Sequence, residues 1–364
     1  MVKKEVVVIG GGPAGMMAAI ACKTHHKDCH VTILERNSRL GIKLCLTGGG
    51  RCNLTALVNN ETVVQNVIRN GKFLYSSLTD FNTTDIYRFF EDRGCRLKVE
   101  DRDRVFPLSD KAESIRSVLL SEIERLGIFV QYNTLVEKVD LLKYDYSIIA
   151  TGGNSYWQTG SDGIGYRLAK QFGHTVTDLI PAEVALVSND EVIQSKQLQG
   201  LSFKDVKITF GKKHLIHDLI ITHFGLSGPL ALCVSSNLDF YPSDIFIDFL
   251  PNLQTETINK DLQLINHLPK RFLNYLQAIT SNTDELIKKI KHFPLTIHDS
   301  KGFSSAFVTK GGVAVQEIDP KTMKSRINNK LSFCGEILDL NGYTGGYNMT
   351  IAFVTGYCAG KNVY

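Results

Sequence analysis

At 364 residues the chain is long for one hydrophobic core, so two domains are expected. A content of 43% hydrophobic and 21% charged residues is that of an ordinary globular protein, and a net charge of +4 neither demands nor excludes nucleic acid. No apolar run approaches the roughly 18 residues of a membrane span, and the N-terminus reads as a strand rather than a signal peptide, so a cytoplasmic location is expected.

The stretch from Lys3 to Thr55 organises the rest. Glu5 to Ile9 is a short β-branched run with the pattern of a buried parallel strand. Gly10, Gly12 and Gly15 then fit G-x-G-x-x-G, with Pro13 and Ala14 inside the motif, and a helix-forming run, Met16 to Ala21, follows. A second strand, Val31 to Leu34, ends in Glu35, twenty residues after Gly15. Gly10 permits the tight turn, Gly12 lets backbone approach a pyrophosphate, and Gly15 allows helix to pack on strand. The helix N-terminus offers free N–H groups to phosphate, and Glu35 accepts from ribose hydroxyls. The acid disfavours a 2′-phosphate, leaving FAD or NAD(H). A second glycine cluster chooses between them. Arg36, then Leu40-Gly41-Ile42-Lys43, lead to Thr47-Gly48-Gly49-Gly50-Arg51-Cys52-Asn53. A domain that binds only NAD has no use for it, whereas a flavin ring extended past the first nucleotide half needs backbone at close approach.

The eight cysteines contain no CxxC pair and no zinc spacing, and no metal site is expected. They read as reduced, mostly buried thiols. Cys45 and Cys52 lack the spacing of a flavin-linked redox pair. Cys52 alone stays a candidate proton donor or flavin neighbour.

Further along, Asp85 to Asp92 reads as a short amphipathic helix, Lys111 to Leu126 as a longer one capped by Gly127, and Ile128 to Tyr132 as a strand. Tyr144 to Ala150 is a buried strand running into Thr151-Gly152-Gly153, small residues at the carboxyl end where α/β sheets hold ligands. From about Pro181 short strands recur: Ala185–Val187, Val206–Phe210, Leu219–Thr222 and Ile245–Leu250, suggesting a small inserted β-barrel or sandwich. Thr257 to Ile290 is mostly helical, broken at Pro269 and around Thr280–Thr283. The basic run Lys288–Lys291 reads as a solvated face. His223 lies in a loop as a low-ranking catalytic candidate. Leu331 to Cys334 is a last parallel strand, and Met349 to Ala359 a last helix whose N-terminus suits an anionic reduced flavin.

Three motifs carry a resemblance: GGGPAG, LGIK followed by TGGGRCN, and Gly335-Glu336-Ile337-Leu338-Asp339-Leu340-Asn341-Gly342-Tyr343-Thr344-Gly345-Gly346-Tyr347-Asn348. With them the chain resembles bacterial FAD-dependent oxidoreductases related to aminoacetone oxidase, to a reductase of bile-acid dehydroxylation and to a flavoenzyme that reduces uridine in ribosomal RNA. Arg69–Leu74, Arg104–Pro107 and Thr222–Pro229 extend the likeness. Trp157, the only tryptophan, follows Tyr156 where the family tends to have proline.

The expectation is thus an α/β protein. A Rossmann-like FAD-binding domain (1–182 and 316–364) carries an inserted β-barrel-plus-helical substrate domain (183–315). FAD is held non-covalently by the residues of the three motifs and by Glu35, Arg36, Thr151 and Gly152, with Arg51, Asn53, Tyr347 and Asn348 lining the ring. The resemblance implies reduction of an activated C=C bond, in a small molecule or in uracil of ribosomal RNA, with NAD(P)H as a transient electron donor. No membrane or DNA partner is expected. An amine or aminoketone oxidase releasing hydrogen peroxide and a non-catalytic flavin redox sensor stay open.

Overall fold

The computed structural model describes residues 4–137, 141 and 143–364, so Lys3, where the organising stretch opens, lies outside the described residues. The chain divides into two compact units, one formed by residues up to Ile180 together with Val308–Tyr364, the other by Pro181–Phe307. The return to the first unit therefore falls at 308 rather than at 316. The reason is local: Thr177 N–H donates to Gly312 O (2.9 Å), and a Cβ on Gly311 would stand 2.0 Å from Asp178 O.

The first unit is built on a five-stranded parallel sheet. In spatial order its strands are Leu331–Phe333, Tyr146–Ile149, Glu5–Ile9, His30–Leu34 and Phe129–Gln131. The central strands are β-branched and buried on both faces, as parallel strands covered by helices must be. Chain order reverses between Glu5–Ile9 and Tyr146–Ile149, which is where such sheets hold ligands.

The first helix is Pro13–His25, starting three residues earlier than the apolar run suggests. Pro13 has no N–H to lose and its ring presets the helical φ, so Gly12 becomes the N-cap. Against it lies the last helix, Tyr347–Lys361. Gly356 and Gly360 are one turn apart, and a Cβ on either would stand 2.4 Å from Ala14 O or 2.0 Å from Ala18 O. Small residues on both helices thus bring two backbones into contact. A hairpin of Leu97–Glu100 and Arg104–Pro107, with Thr55–Ala56 on its edge, completes what the site needs.

In the second unit seven strands form one antiparallel sheet. Phe293–Ile297 pairs with Ser243–Asp248 at one end of the strand order, and Asp299–Ser300 with Leu186–Val187 at the other. These two edge strands are consecutive in the chain, so the sheet closes on itself as a barrel. Its long hairpin, Ser202–Phe210 with Lys213–Ile221, turns at Gly211 (φ +54°). The expected helical stretch is Thr255–Lys260, Lys270–Ala278 and Thr283–Lys291, broken at Pro269 and at 279–282. Lys291 is not part of a solvated basic face. Its Nζ donates to Leu250 O (2.6 Å) and Leu253 O (2.7 Å) and pairs with Asp248 (2.8 Å).

Among the described residues no helix is long and apolar enough to cross a membrane, and no three His, Cys, Asp or Glu residues are grouped to hold a metal ion.

Candidate functional site

The switch point of the parallel sheet collects the motif residues. Gly10 has φ +101°, and a Cβ there would stand 2.5 Å from Ala150 O. The first turn and the Ala150-Thr151-Gly152 turn, far apart in sequence, therefore touch. A Cβ on Gly15 would stand 1.9 Å from Gly10 O, so Gly15 is needed for helix and strand to meet. Gly12 differs from both: its φ of −77° suits any residue, and a Cβ would meet no protein atom within 4 Å. Nothing in the fold requires glycine there, which leaves close approach of a ligand as its reason.

Glu35 is buried and its carboxylate is already oriented. Oε2 accepts from Gly11 N–H (2.7 Å); Oε1 accepts from the backbone N–H (2.8 Å) and Nδ2 (2.7 Å) of Asn37. Asn37 Nδ2 also donates to Thr159 O (3.0 Å), and Arg36 pairs with Asp162. Arg36 thus serves to hold the 159–162 segment beside the acid. Trp157 opens the turn there and is 63% exposed.

Lys43 and Glu336 meet each other. Lys43 Nζ lies 2.9 Å from Glu336 Oε2 and donates to Ser155 Oγ (2.9 Å). Glu336 Oε1 accepts from Ser155 Oγ (3.1 Å) and Thr309 N–H (2.9 Å). Gly335 (φ +79°) sets this carboxylate in place, its Cα facing Ala14, whose Cβ would lie 2.7 Å from a Cβ on Gly335. Three residues after Glu336, burial raises the carboxyl of Asp339 above its ordinary range despite Arg69 at 3.4 Å.

The second glycine cluster forms a tight turn. Gly48, Gly49 and Gly50 all have positive φ (57°, 67°, 86°), and Thr47 Oγ1 donates to Leu44 O (2.7 Å). Arg51 is committed to Glu100 (2.9 Å) and Asp110 (3.3 Å), its guanidinium 4.1 Å above the Phe106 ring. With its amide oxygen and nitrogen exchanged, the orientation its neighbours satisfy, Asn53 accepts from Gly346 N–H (3.1 Å) and donates to Thr55 O (3.3 Å). Gly345 and Gly346 (φ 120° and 103°) lead into Tyr347, the first residue of the last helix. Asn348 clamps Gly342 by both backbone groups (2.8 and 2.9 Å). The ring-lining role expected of Arg51 is corrected to this extent: its charge is spent on the hairpin.

Cys52 is also corrected. It is fully buried, its φ is +62°, and burial pushes its thiol up to about 12. A thiol so placed donates no proton to a substrate in water-accessible space. His223 is exposed in the second unit, edge-on to Phe224 (5.0 Å), and no residue of the nucleotide motifs shares that unit. Sequence reasoning missed Asn37, Ser155 and Thr309. Asn37 had a signal, being two residues past the acid in the same loop. The others reach the site only through folding, as does Lys310, a lysine 1% exposed.

Four buried polar atoms test whether a bound flavin nucleotide fits. Thr151 Oγ1, Asp339 Oδ1 and both amide atoms of Asn341 have no hydrogen-bond partner. Such groups cost about 1–3 kcal/mol each when left unpaired. They lie in the Thr151 turn and the 335–348 motif, and a ligand rich in hydroxyls and carbonyls satisfies them. Together with the open cradle at Gly12, they fit FAD.

A parallel sheet with its glycine turn, ribose acid and second glycine cluster at the switch point defines an FAD-dependent oxidoreductase of Rossmann type. More particularly, the chain belongs to the HI0933-like protein Rossmann domain family, whose model matches residues 4–362. It is 30% identical to a 3-dehydro-bile acid delta(4,6)-reductase of Clostridium scindens, over 98% of each chain. It is 28% identical to a ribosomal RNA dihydrouridine synthase of Haemophilus influenzae, over 99% of this chain and 98% of the other. A quinol–fumarate reductase structure with menaquinol molecules shares the fold (TM-score 0.53, 14% identity), covering all of this chain and 71% of that one.

Proposed function

We propose that the protein binds FAD non-covalently and reduces a C=C bond conjugated to a carbonyl, with NAD(P)H as electron source. The observation that carries this reading is the whole-length likeness to a delta(4,6)-reductase and to a dihydrouridine synthase. Both names describe hydrogen added across a double bond, in a steroid and in a uracil ring. The substrate is accordingly a small conjugated ketone or a uridine of ribosomal RNA, met in the cytoplasm.

FAD, when bound and reduced by NAD(P)H, would supply the hydride for such a reduction. The chain's own residues would act around it. Glu35, held by Gly11 and Asn37, takes the ribose hydroxyls, and Gly12 and the N-terminus of Pro13–His25 take the pyrophosphate. Thr151 Oγ1, Asp339 Oδ1 and the Asn341 amide, which lack partners, would hydrogen-bond to the cofactor. Lys43 Nζ pairs with Glu336 Oε2, with Ser155 Oγ hydrogen-bonded to both, and so ties the LGIK segment to the 335–348 motif around the cofactor.

The test is anaerobic. The FAD-loaded protein is reduced with NADH or NADPH, then mixed with a 3-keto-4-ene steroid or a uridine-containing ribosomal RNA fragment. Return of the oxidised flavin spectrum with formation of saturated product supports the reading and names the substrate class. Failure of both acceptors, with hydrogen peroxide released on adding amines to the oxidised protein, overturns it in favour of an oxidase.

A further inference from the structure

The first unit holds a second concavity, away from the flavin motifs. It is an open groove of about 750 Å³, within the roughly 300–1,000 Å³ of small-molecule sites. One wall is the turn that follows the helix Thr83–Glu91, with Arg93 and Arg96. The other is the helix Ala112–Arg125, with Ser114, Ser117 and Ser121. At about 100° per residue these serines share one face of the helix with the buried Val118 and Glu122. Arg116 leaves the helix on the opposite side, where its Nε donates to Leu40 O (2.7 Å) in the LGIK segment. The helix therefore stands between the groove and the FAD cradle.

The charge of the groove is positive and partly unspent. Glu122 is shared by two guanidinium groups, Arg93 (3.0 Å) and Arg125 (2.8 Å). Arg93 is fixed further by donating to Phe89 O (3.0 Å) and lies 4.0 Å over the Phe89 ring. Arg96 is exposed, and its side chain has no hydrogen bond or ion pair among the described residues. Its backbone is held, because Arg96 O accepts from Leu108 N–H (2.8 Å). The serines are uncommitted too. Serine is a poorer helix former than alanine, and a mid-helix hydroxyl commonly turns back to the carbonyl of the preceding turn. The hydroxyls of Ser117 and Ser121 make no hydrogen bond among the described residues.

We propose that this groove binds a nucleotide through a phosphate group. Arg93 and Arg96 meet the phosphate as charged donors, and Ser117 and Ser121 donate to its oxygens. Leu108, 55% exposed, offers an apolar edge to the nucleoside. The guanidinium groups sit at one confined place of small-molecule size, which favours a single nucleotide over a polymer. The groove uses no residue of the FAD cradle, so the proposal goes beyond the reduction reading and can fail without it.

The test uses the FAD-loaded protein, so that the cradle is filled. Adenosine monophosphate, adenosine bisphosphate and uncharged adenosine are titrated by calorimetry, and a fluorescein-labelled single-stranded RNA by anisotropy. A phosphorylated nucleotide should bind and adenosine should not. R96Q should weaken that binding about tenfold or more, with Tm and FAD content unchanged. S117A/S121A should weaken it about threefold or more, with FAD content unchanged and a Tm equal to wild type or higher by about 1–2 °C. No binding of either nucleotide, or binding that neither variant weakens, overturns the site. RNA binding that R96Q weakens, without binding of either nucleotide, overturns the assignment in favour of a nucleic-acid backbone.

Discussion

Substituting Gly12 and Gly15 by alanine separates the ligand's demands from those of the fold. At Gly12 the backbone (φ −77°, ψ −179°) accepts alanine, and the new methyl meets no protein atom within 4 Å. The unfolded chain loses entropy, worth about 0.4–1 kcal/mol in favour of G12A. Alanine is a poorer N-cap than glycine, which offsets part of this. The apoprotein's Tm should therefore stay within about 2 °C of wild type. FAD affinity should fall about 100-fold, or roughly 2.7 kcal/mol, because the methyl occupies the space through which the pyrophosphate reaches the helix N-terminus. At Gly15 the methyl would stand 1.9 Å from Gly10 O and 3.3 Å from Ala150 Cβ. Strand and helix must part, at a cost of about 1–3 kcal/mol or more, so G15A should lower the apoprotein's Tm before cofactor is added. The assay pairs thermal melting of apoprotein with titration by FAD, following quenching of flavin fluorescence. A G12A protein that binds FAD like wild type, or one that loses its fold, refutes the reasoning.

Glu35→Gln keeps the shape of the side chain but puts an NH2 group where Gly11 N–H or Asn37 now donates; FAD affinity should drop about tenfold, roughly 1.4 kcal/mol, in the same titration. Asp339 has a folded pKa raised above its unfolded value, so its contribution to stability is complete below the unfolded pKa and is lost as pH rises through the folded one. Asp339→Asn should therefore flatten the fall in apoprotein Tm as pH rises from about 4 into the range above; an unchanged slope contradicts this. Cys52, with its thiol pushed up to about 12 and no exposed surface, should resist iodoacetamide at pH 8 in the native protein and react only after denaturation, as peptide mass analysis will show.

Much of the first unit is legible in the sequence because its signals are local. The strand Glu5–Ile9, the glycine turn and Glu35 lie within one βαβ segment, and the periodicity of Ala112–Arg125 is carried by Ile115, Val118, Leu119 and Ile123. The closing of the barrel is less legible. It depends on one segment, residues 293–300, pairing on two sides at once, and pairing of that kind leaves no periodic trace. The Lys43–Glu336–Ser155 cluster joins three segments through side chains, so Lys43 and Glu336 were visible but their pairing, and Ser155 between them, were not. Cys52 misled for a related reason. Its place beside a glycine cluster suggested reactivity, whereas burial, a property of the whole fold, decides what its thiol can do.

The most direct test of the central claim is the visible absorption spectrum of the purified protein, before and after incubation with FAD and removal of the excess. A flavin spectrum with about one FAD per chain, released intact into the supernatant on denaturation, is the result expected of a non-covalent flavoprotein. A colourless protein that takes up no FAD would contradict the account at its foundation.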